Sequence, residues 1–136
     1  HERAGSTNII HLHGELLKMR GVDYPYTFYD CTEDIKVGDL SPNGAQLRPH
    51  IVWFGEDVPM IVKAAEEVEI ADIVLIVGTS LQVYPAAGLM NCAEEGTPIY
   101  YVDPRPSISS KNNITVIKDV ASKGVAKAIE LIKELK

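Results

Sequence analysis

The clearest hydrophobic pattern lies in the second half of the chain, where short apolar runs alternate with amphipathic stretches. A β-branched run at 73–77 predicts a strand that is covered on both faces, and the stretches 98–102 and 114–117 predict two further strands. Helices are predicted over 58–69, 85–95 and 122–136. The last has an apolar stripe of Val125, Ile129, Ile132 and Leu135, with Ser122 as its N-cap and Lys133 and Lys136 at its C-terminal end. This alternation predicts an α/β fold with a parallel sheet.

The first half of the chain is less regular. Strands are predicted over 8–12 and 50–54, and the stretch 21–47 between them is rich in Gly, Pro, Asp and Tyr without a clear period. A structureless connection of that length is unusual inside a compact domain. We therefore interpret it as a small inserted module or a functional loop.

Composition narrows the class of protein. A chain of 136 residues with 46% hydrophobic and 24% charged residues is typical of a globular domain. The longest apolar run, 73–77, is far below the ~20 residues of a membrane span, and no signal-like segment is seen. The net charge of −6 argues against nucleic-acid binding. Two cysteines exclude a disulfide framework and a zinc site built from two CxxC pairs.

Two histidines near the start are candidate chemical groups. His11 and His13 alternate along the predicted first strand, so their rings would face the same side. They could form a metal pair with His50, His13 could act as a general base, or both could be half-buried strand residues. Gly14, directly after His13, favours a site because it lets a ligand approach the backbone closely.

Polar residues follow two of the predicted parallel strands. Gly78, Thr79 and Ser80 come after the first of these strands, at the edge where open α/β sheets bind ligands. The small hydroxyl side chains of Thr79 and Ser80 suit ribose or phosphate, although a tight turn also favours Gly and Ser. Asp103 ends the next strand, where a carboxylate can meet ribose hydroxyls or start an ordinary turn. Neither the GxGxxG fingerprint nor the P-loop form occurs in these 136 residues. Trp53 and Phe54 suit either core packing or the wall of an apolar tunnel.

Four ordered blocks together resemble the sirtuins, the family of NAD-dependent protein-lysine deacylases. They are His1-Glu2-Arg3-Ala4-Gly5-Ser6, Ile10-His11-Leu12-His13-Gly14, Leu47-Arg48-Pro49-His50-Ile51-Val52-Trp53-Phe54-Gly55-Glu56, and Gly78-Thr79-Ser80-Leu81-Gln82-Val83-Tyr84-Pro85-Ala86-Ala87. The third block resembles the branch that includes desuccinylases and bacterial deacylases. The resemblance implies a Rossmann-like parallel sheet with flanking helices, of which this chain holds a part. The expected organisation is a Rossmann-like segment with the catalytic histidine over 1–18, a small zinc-less inserted module over 19–47, and the C-terminal half of the NAD-binding domain over 48–136.

The resemblance also implies a mechanism. The acyl-lysine oxygen attacks C1′ of the nicotinamide ribose, nicotinamide leaves, a histidine base deprotonates a ribose hydroxyl, and the acyl group ends on ADP-ribose. His13 matches that base, and an imidazole suits proton transfer near neutral pH; His11 is taken as a structural neighbour. The residues expected to bind NAD are Gly78, Thr79, Ser80, Tyr101, Val102, Asp103 and Ala121. An acyl-lysine peptide is expected to add as an extended strand between two segments, contacting Val52, Phe54, Gly55, Glu56, Leu81 and Val83.

Three departures from the family pattern qualify this picture. Most sirtuins carry four zinc cysteines in the small module, whereas this stretch offers only Cys31, so no structural zinc is expected; Tyr24, Tyr26, Phe28 and Tyr29 would hold the module instead. Tyr101 stands where the family pattern has Asn. The Gly-rich loop is absent and the chain begins at His1 without Met, so we interpret it as the C-terminal portion of a cytoplasmic enzyme, inactive alone.

Two other classes of function remain open at this point. One is a non-catalytic module that binds NAD or ADP-ribose, which the Tyr101 departure favours. The other is an interaction fragment whose exposed sheet edge drives self-association.

Overall fold

The computed structural model describes residues 1–23 and 26–135, which form two compact units, 1–60 and 61–136. Each unit contains one three-stranded sheet. The predicted division into 1–18, 19–47 and 48–136 is a different one, and it stays a prediction. No helix in the described part of the chain has the length and apolar character needed to cross a membrane.

The unit 61–136 is an α/β layer. The helix α1 (Ile61–Glu69) leads into a parallel sheet with the order β4 (Val74–Val77), β5 (Ile99–Val102), β6 (Ile114–Ile117). A 3-10 helix, Ala86–Cys92, follows β4 and contacts α1. The three strands agree with the predicted runs. All four residues of the central strand β5 are buried, as expected of a strand with a neighbour on each side.

The helix α2 (Ala121–Lys133) packs on β5 and β6 through small residues. Gly124 and Ala128 are its buried positions, while Ile129, placed in the predicted stripe, is 44% exposed. Of the predicted stripe, Val125 and Ile132 are half-buried and Ile132 packs against the core, whereas Ile129 and Leu135 are exposed, so the stripe is only partly right. A Cβ atom at Gly124 would collide with Val102 Cγ1, so the helix lies too close to β5 at this point for a larger side chain. Its N-cap is Val120 rather than Ser122. The predicted helix end at Lys136 lies outside the described residues.

The unit 1–60 is built on an antiparallel sheet with the order β2 (Phe28–Asp30), β1 (Gly14–Gly21), β3 (Leu47–Ile51). The strand predicted over 8–12 is wrong: β1 begins at Gly14, beyond both histidines. The predicted strand over 50–54 ends early, because the chain turns after Ile51. The register of the pairing between β1 and β3 shifts between Glu15 and Met19.

The aromatic residues expected to hold the small module have distinct surroundings. The guanidinium of buried Arg20 lies over the Tyr26 ring, 3.9 Å from its centroid, and Phe28 packs against the His50 ring with centroids 4.3 Å apart. Tyr29 pairs with Met19 across β1 and β2. Tyr24 lies outside the described residues.

Candidate functional site

His13 lies in a tight turn immediately before β1. The Gly14 N–H donates to the His11 carbonyl at 3.2 Å, and Gly14 has a φ of +87°, a conformation that favours glycine. The Val52 N–H donates to the His13 carbonyl at 3.0 Å, so the backbone of the turn is tied to the segment after β3. The His13 side chain is exposed. The arrangement presents an imidazole to solvent on a backbone that is held from both sides.

His11 has a different environment from His13. Its Nε2 lies 3.0 Å from Glu2 Oε1 and 3.7 Å from Glu15 Oε1, and Glu15 also pairs with Lys18 at 3.2 Å. Glu2, His11 and Glu15 are the one cluster of three potential metal ligands within residues 1–23 and 26–135. Because Nε2 already faces two carboxylates, hydrogen bonding accounts for this geometry, and it supports the expectation that His11 is a structural neighbour.

His50 has surroundings different from those of His11 and His13. It lies opposite Glu15 on β3, its ring packs on Phe28, and its Nδ1 is buried with no hydrogen-bond partner among the described residues. Burial lowers the pKa of this imidazole, and the charge of Arg20 lowers it further. The metal trio of His11, His13 and His50 considered from the sequence is not brought together by the fold.

The turn from Trp53 to Glu56 carries three of the six residues predicted to meet a peptide. The Glu56 N–H donates to the Trp53 carbonyl at 3.1 Å, with Gly55 at a φ of +88°. The Glu56 carboxylate accepts two hydrogen bonds from Arg48, at 2.5 and 3.1 Å, and one from the Trp53 N–H at 3.0 Å. The Arg48 guanidinium, followed by the Trp53 N–H, lowers the pKa of Glu56 to about 2.

A cavity of about 660 Å³ in the unit 1–60 brings several predicted residues together. Its wall includes His11, Gly14, Val52, Gly55 and Glu56. Phe54 points away from this wall and is 92% exposed. The predicted tunnel residues Val52 and Phe54 therefore have different surroundings, one against the cavity and one in solvent.

The sheet of the unit 61–136 gathers polar residues at one edge. Val77, Val102 and Ile117 are paired in register, so the segments that follow these parallel strands emerge at the same edge. Gly78, Thr79 and Ser80 follow β4 and are exposed, and an added Cβ at Gly78 would meet nothing within 4 Å. This open, hydroxyl-bearing loop fits a ribose or phosphate group.

The same edge receives residues from the two other strands. The half-buried Asp103 follows β5, and its Oδ1 accepts a hydrogen bond from the Arg105 N–H at 2.7 Å. Ala121, exposed, begins α2 after β6. The sheet thus brings Asp103 and Ala121 to the edge that carries the loop after β4.

Tyr101 and Val102 stand apart from the other residues predicted to bind NAD. Both side chains are fully buried, so neither offers a surface to a ligand in this structure. The Tyr101 hydroxyl instead donates to the Thr79 carbonyl at 2.7 Å. The Tyr101 side chain therefore supports the loop after β4, and direct binding of NAD by Tyr101 and Val102 stays a prediction.

The two residues predicted to contact peptide in the unit 61–136 follow that loop. Leu81 is half-buried and has a φ of +53°, which is rare for a leucine. Its N–H donates to the Thr79 hydroxyl oxygen at 3.2 Å. Val83 is exposed. Binding of a peptide by Leu81 and Val83 stays a prediction.

Comparison with known proteins identifies the family. The sequence profile of the Sir2 family matches residues 1–85, more than half of the chain. The chain belongs to the Sir2 family. Among its Sir2 relatives, an NAD-dependent protein deacylase of Aggregatibacter actinomycetemcomitans is 55% identical over 107 residues, which cover 79% of this chain and 51% of the relative. One from Bacteroides thetaiotaomicron is 46% identical over 139 aligned positions, covering 97% of this chain and 59% of the relative.

Solved Sir2 structures agree with this membership. A Sir2 homologue in complex with ADP-ribose has a TM-score of 0.80 at 31% identity, covering 99% of this chain and 56% of that one. Sir2Af2 bound to a myristoylated histone peptide has a TM-score of 0.74 at 30% identity, covering 99% of this chain and 61% of that one. This Sir2 chain thus spans between half and two thirds of the length of these proteins.

Sequence reasoning missed two supporting contacts of this Sir2 chain. The first joins Arg48 to Glu56, whose signal is an Arg in a strand followed by a Gly-containing turn with a Glu after the Gly. The second joins the Tyr101 hydroxyl to Thr79. The signal there is a tyrosine in an apolar strand, since a buried tyrosine usually finds a hydrogen-bond partner for its hydroxyl.

Proposed function

We propose that this chain supplies the base, the nucleotide edge and the peptide edge of an NAD-dependent protein deacylase that removes acyl groups from lysine side chains. The observation that carries the proposal is His13. It is an exposed imidazole beside a glycine, and its backbone is tied to Val52 at the segment that leads into the Trp53–Glu56 turn. Support comes from relatives that are named NAD-dependent protein deacylases.

The residues fit NAD and an acyl-lysine peptide as two substrates. When bound, NAD would supply the ribose carbon that accepts the acyl oxygen, with nicotinamide as the leaving group. One water molecule is consumed as the bond between the acyl carbon and the lysine nitrogen breaks, so the products would be the free lysine, nicotinamide and O-acyl-ADP-ribose. His13 takes the proton from the ribose hydroxyl that attacks the acyl carbon, which an imidazole does well near neutral pH. The hydroxyls of Thr79 and Ser80 and the carboxylate of Asp103 hydrogen-bond the nucleotide. The backbone around Gly55 pairs with the extended peptide.

The test is a chimera with the Bacteroides thetaiotaomicron relative, in which this chain replaces the matching part and the rest of that relative is kept. The proposal expects the chimera to release nicotinamide from NAD only when an acyl-lysine peptide is present. The 136-residue chain alone is expected to give no turnover, because it contains no glycine-rich phosphate loop. Turnover by the chain alone would overturn the expectation that it is inactive by itself. A chimera that folds but is inactive would overturn the whole proposal.

A non-catalytic nucleotide-binding module is the second candidate. It is favoured by one observation: the side chain of Tyr101 is fully buried. Binding of ADP-ribose by a folded chimera that never turns over acyl-peptide would establish it.

A cytoplasmic location is proposed for the enzyme, to be checked by fractionation of the source cells.

A further inference from the structure

The Trp53–Glu56 turn holds two large aromatic side chains out of the core. Phe54 is 92% exposed and Trp53 is 55% exposed, although burying such a ring would be favourable. A short turn with two unburied aromatics would sample many conformations if nothing held it. Because its rings are not buried, a defined conformation of this turn needs another reason.

The carboxylate of Glu56 provides that reason. It accepts two parallel hydrogen bonds from Arg48 on β3 and a third from the Trp53 N–H, while the Glu56 N–H closes the turn on the Trp53 carbonyl. Arg48 Nη2 also donates to the Ile51 carbonyl at 3.4 Å. The fork of Arg48 thus joins the end of the strand to the turn, and a bidentate pair of this kind fixes orientation as well as distance.

The same geometry decides how Glu56 acts. With three hydrogen bonds accepted inside the chain, its carboxylate has little capacity left for a substrate. We propose that Glu56 is a positioning residue: together with Arg48 it holds the turn so that Phe54 and the Gly55 backbone meet the acyl-lysine peptide in a preformed shape. This inference rests on the proposed function, and it changes the expected role of Glu56 from contacting the peptide to orienting the groups that do.

The backbone amide of Trp53 allows the positioning role of Glu56 to be tested without an activity assay. Because the Trp53 N–H donates to the Glu56 carboxylate, its amide exchange reports on the contact directly. In the full chain, Glu56→Gln should speed Trp53 amide exchange by about tenfold or more, since a charge-assisted hydrogen bond is replaced by a neutral one. Asp57→Asn is the matched control, because it removes the neighbouring exposed carboxylate and should leave the Trp53 exchange unchanged.

The second readout uses the chimera with the Bacteroides relative. Glu56→Gln is expected to raise the KM for the acyl-lysine peptide by about tenfold while the KM for NAD changes less than twofold. Asp57→Asn should leave both values unchanged. Loss of preorganisation acts on peptide binding, so this split separates positioning from general damage to the fold.

The outcomes separate this inference from the proposed function. A folded unsubstituted chimera that is inactive overturns the proposed function and the substrate role of the turn, whatever the exchange data show. An active chimera whose peptide KM is unaffected by Glu56→Gln, despite faster Trp53 exchange, overturns the positioning role alone. Unchanged Trp53 exchange in Glu56→Gln overturns the inference that the carboxylate holds the turn.

Discussion

The hydroxyl of Tyr101 gives the sharpest stability prediction in the unit 61–136. This side chain is fully buried on β5, and its hydroxyl donates to the Thr79 carbonyl at 2.7 Å. Tyr101→Phe removes one oxygen atom and this hydrogen bond while keeping the ring in place. Because Thr79 itself is exposed, water can reach its carbonyl after the substitution, and the cost should be that of a net hydrogen bond, about 1 kcal/mol.

That cost can be measured by thermal and urea unfolding followed by circular dichroism. A loss of about 1 kcal/mol corresponds to a roughly fivefold smaller equilibrium constant for folding and a melting temperature lower by about 4 °C. The loop after β4 should also open more often, which faster amide exchange of Leu81 would show, since its N–H donates to the Thr79 hydroxyl.

Tyr100→Phe is the matched control for this prediction. Tyr100 is the neighbouring buried tyrosine on the opposite face of β5, and its hydroxyl has no hydrogen-bond partner within residues 1–23 and 26–135. Its substitution should change the free energy of unfolding by less than about 0.5 kcal/mol. Equal losses for both substitutions, or no loss for Tyr101→Phe, would refute the assignment of a supporting hydrogen bond to Tyr101.

Three further predictions concern close packing and charge. Gly14→Ala should destabilise the chain by about 3 kcal/mol or more in urea unfolding, because its φ is positive and the added Cβ would collide with a carbonyl oxygen of β3; a loss below about 1 kcal/mol would contradict this. Gly124→Ala should cost a net of about 1 kcal/mol, because the clash with Val102 outweighs the higher helix propensity of Ala; a more stable variant would show that α2 can move away. The hydrogen bond from Lys127, followed by that from the N–H at the start of α2, lowers the pKa of Asp119. The ionised carboxylate therefore stabilises the fold above its ordinary pKa of 3.8, and this stabilisation is lost as the pH falls through the lowered pKa. Carboxyl NMR titration should therefore find a higher Asp119 pKa in Lys127→Met than in the unsubstituted chain, and equal values would contradict the stated cause.

The strands of the parallel sheet were predictable from the sequence for a physical reason. The strand β5 is a short apolar run bounded by Pro98 and Asp103, and burial of all four of its residues requires such a run. The position of the polar edge followed from the parallel direction of the strands. The family resemblance agreed with the Sir2 profile, while the roles of individual site residues stay predictions.

Other features depend on contacts between distant residues and were not readable locally. The apolar stripe predicted for α2 was only partly right, with Ile132 against the core but Ile129 and Leu135 exposed. Hydrophobic periodicity favours large residues, whereas the close approach to Val102 selects Gly124 and Ala128. The strand predicted at 8–12 failed because alternation of polar and apolar residues does not reveal a turn that depends on Gly14. Neither the Arg48–Glu56 fork nor the Tyr101–Thr79 bond leaves a periodic signal.

The most direct test of the central claim compares two histidine variants in the chimera with the Bacteroides relative. His13→Ala removes the proposed base, whereas His11→Gln keeps a side-chain N–H that can still donate to Glu2. The account predicts that acyl-lysine turnover falls by at least about a hundredfold in His13→Ala and changes less than about threefold in His11→Gln, with both variants folded. Full turnover in His13→Ala, or a loss confined to His11→Gln, would contradict the assignment of His13 as the base.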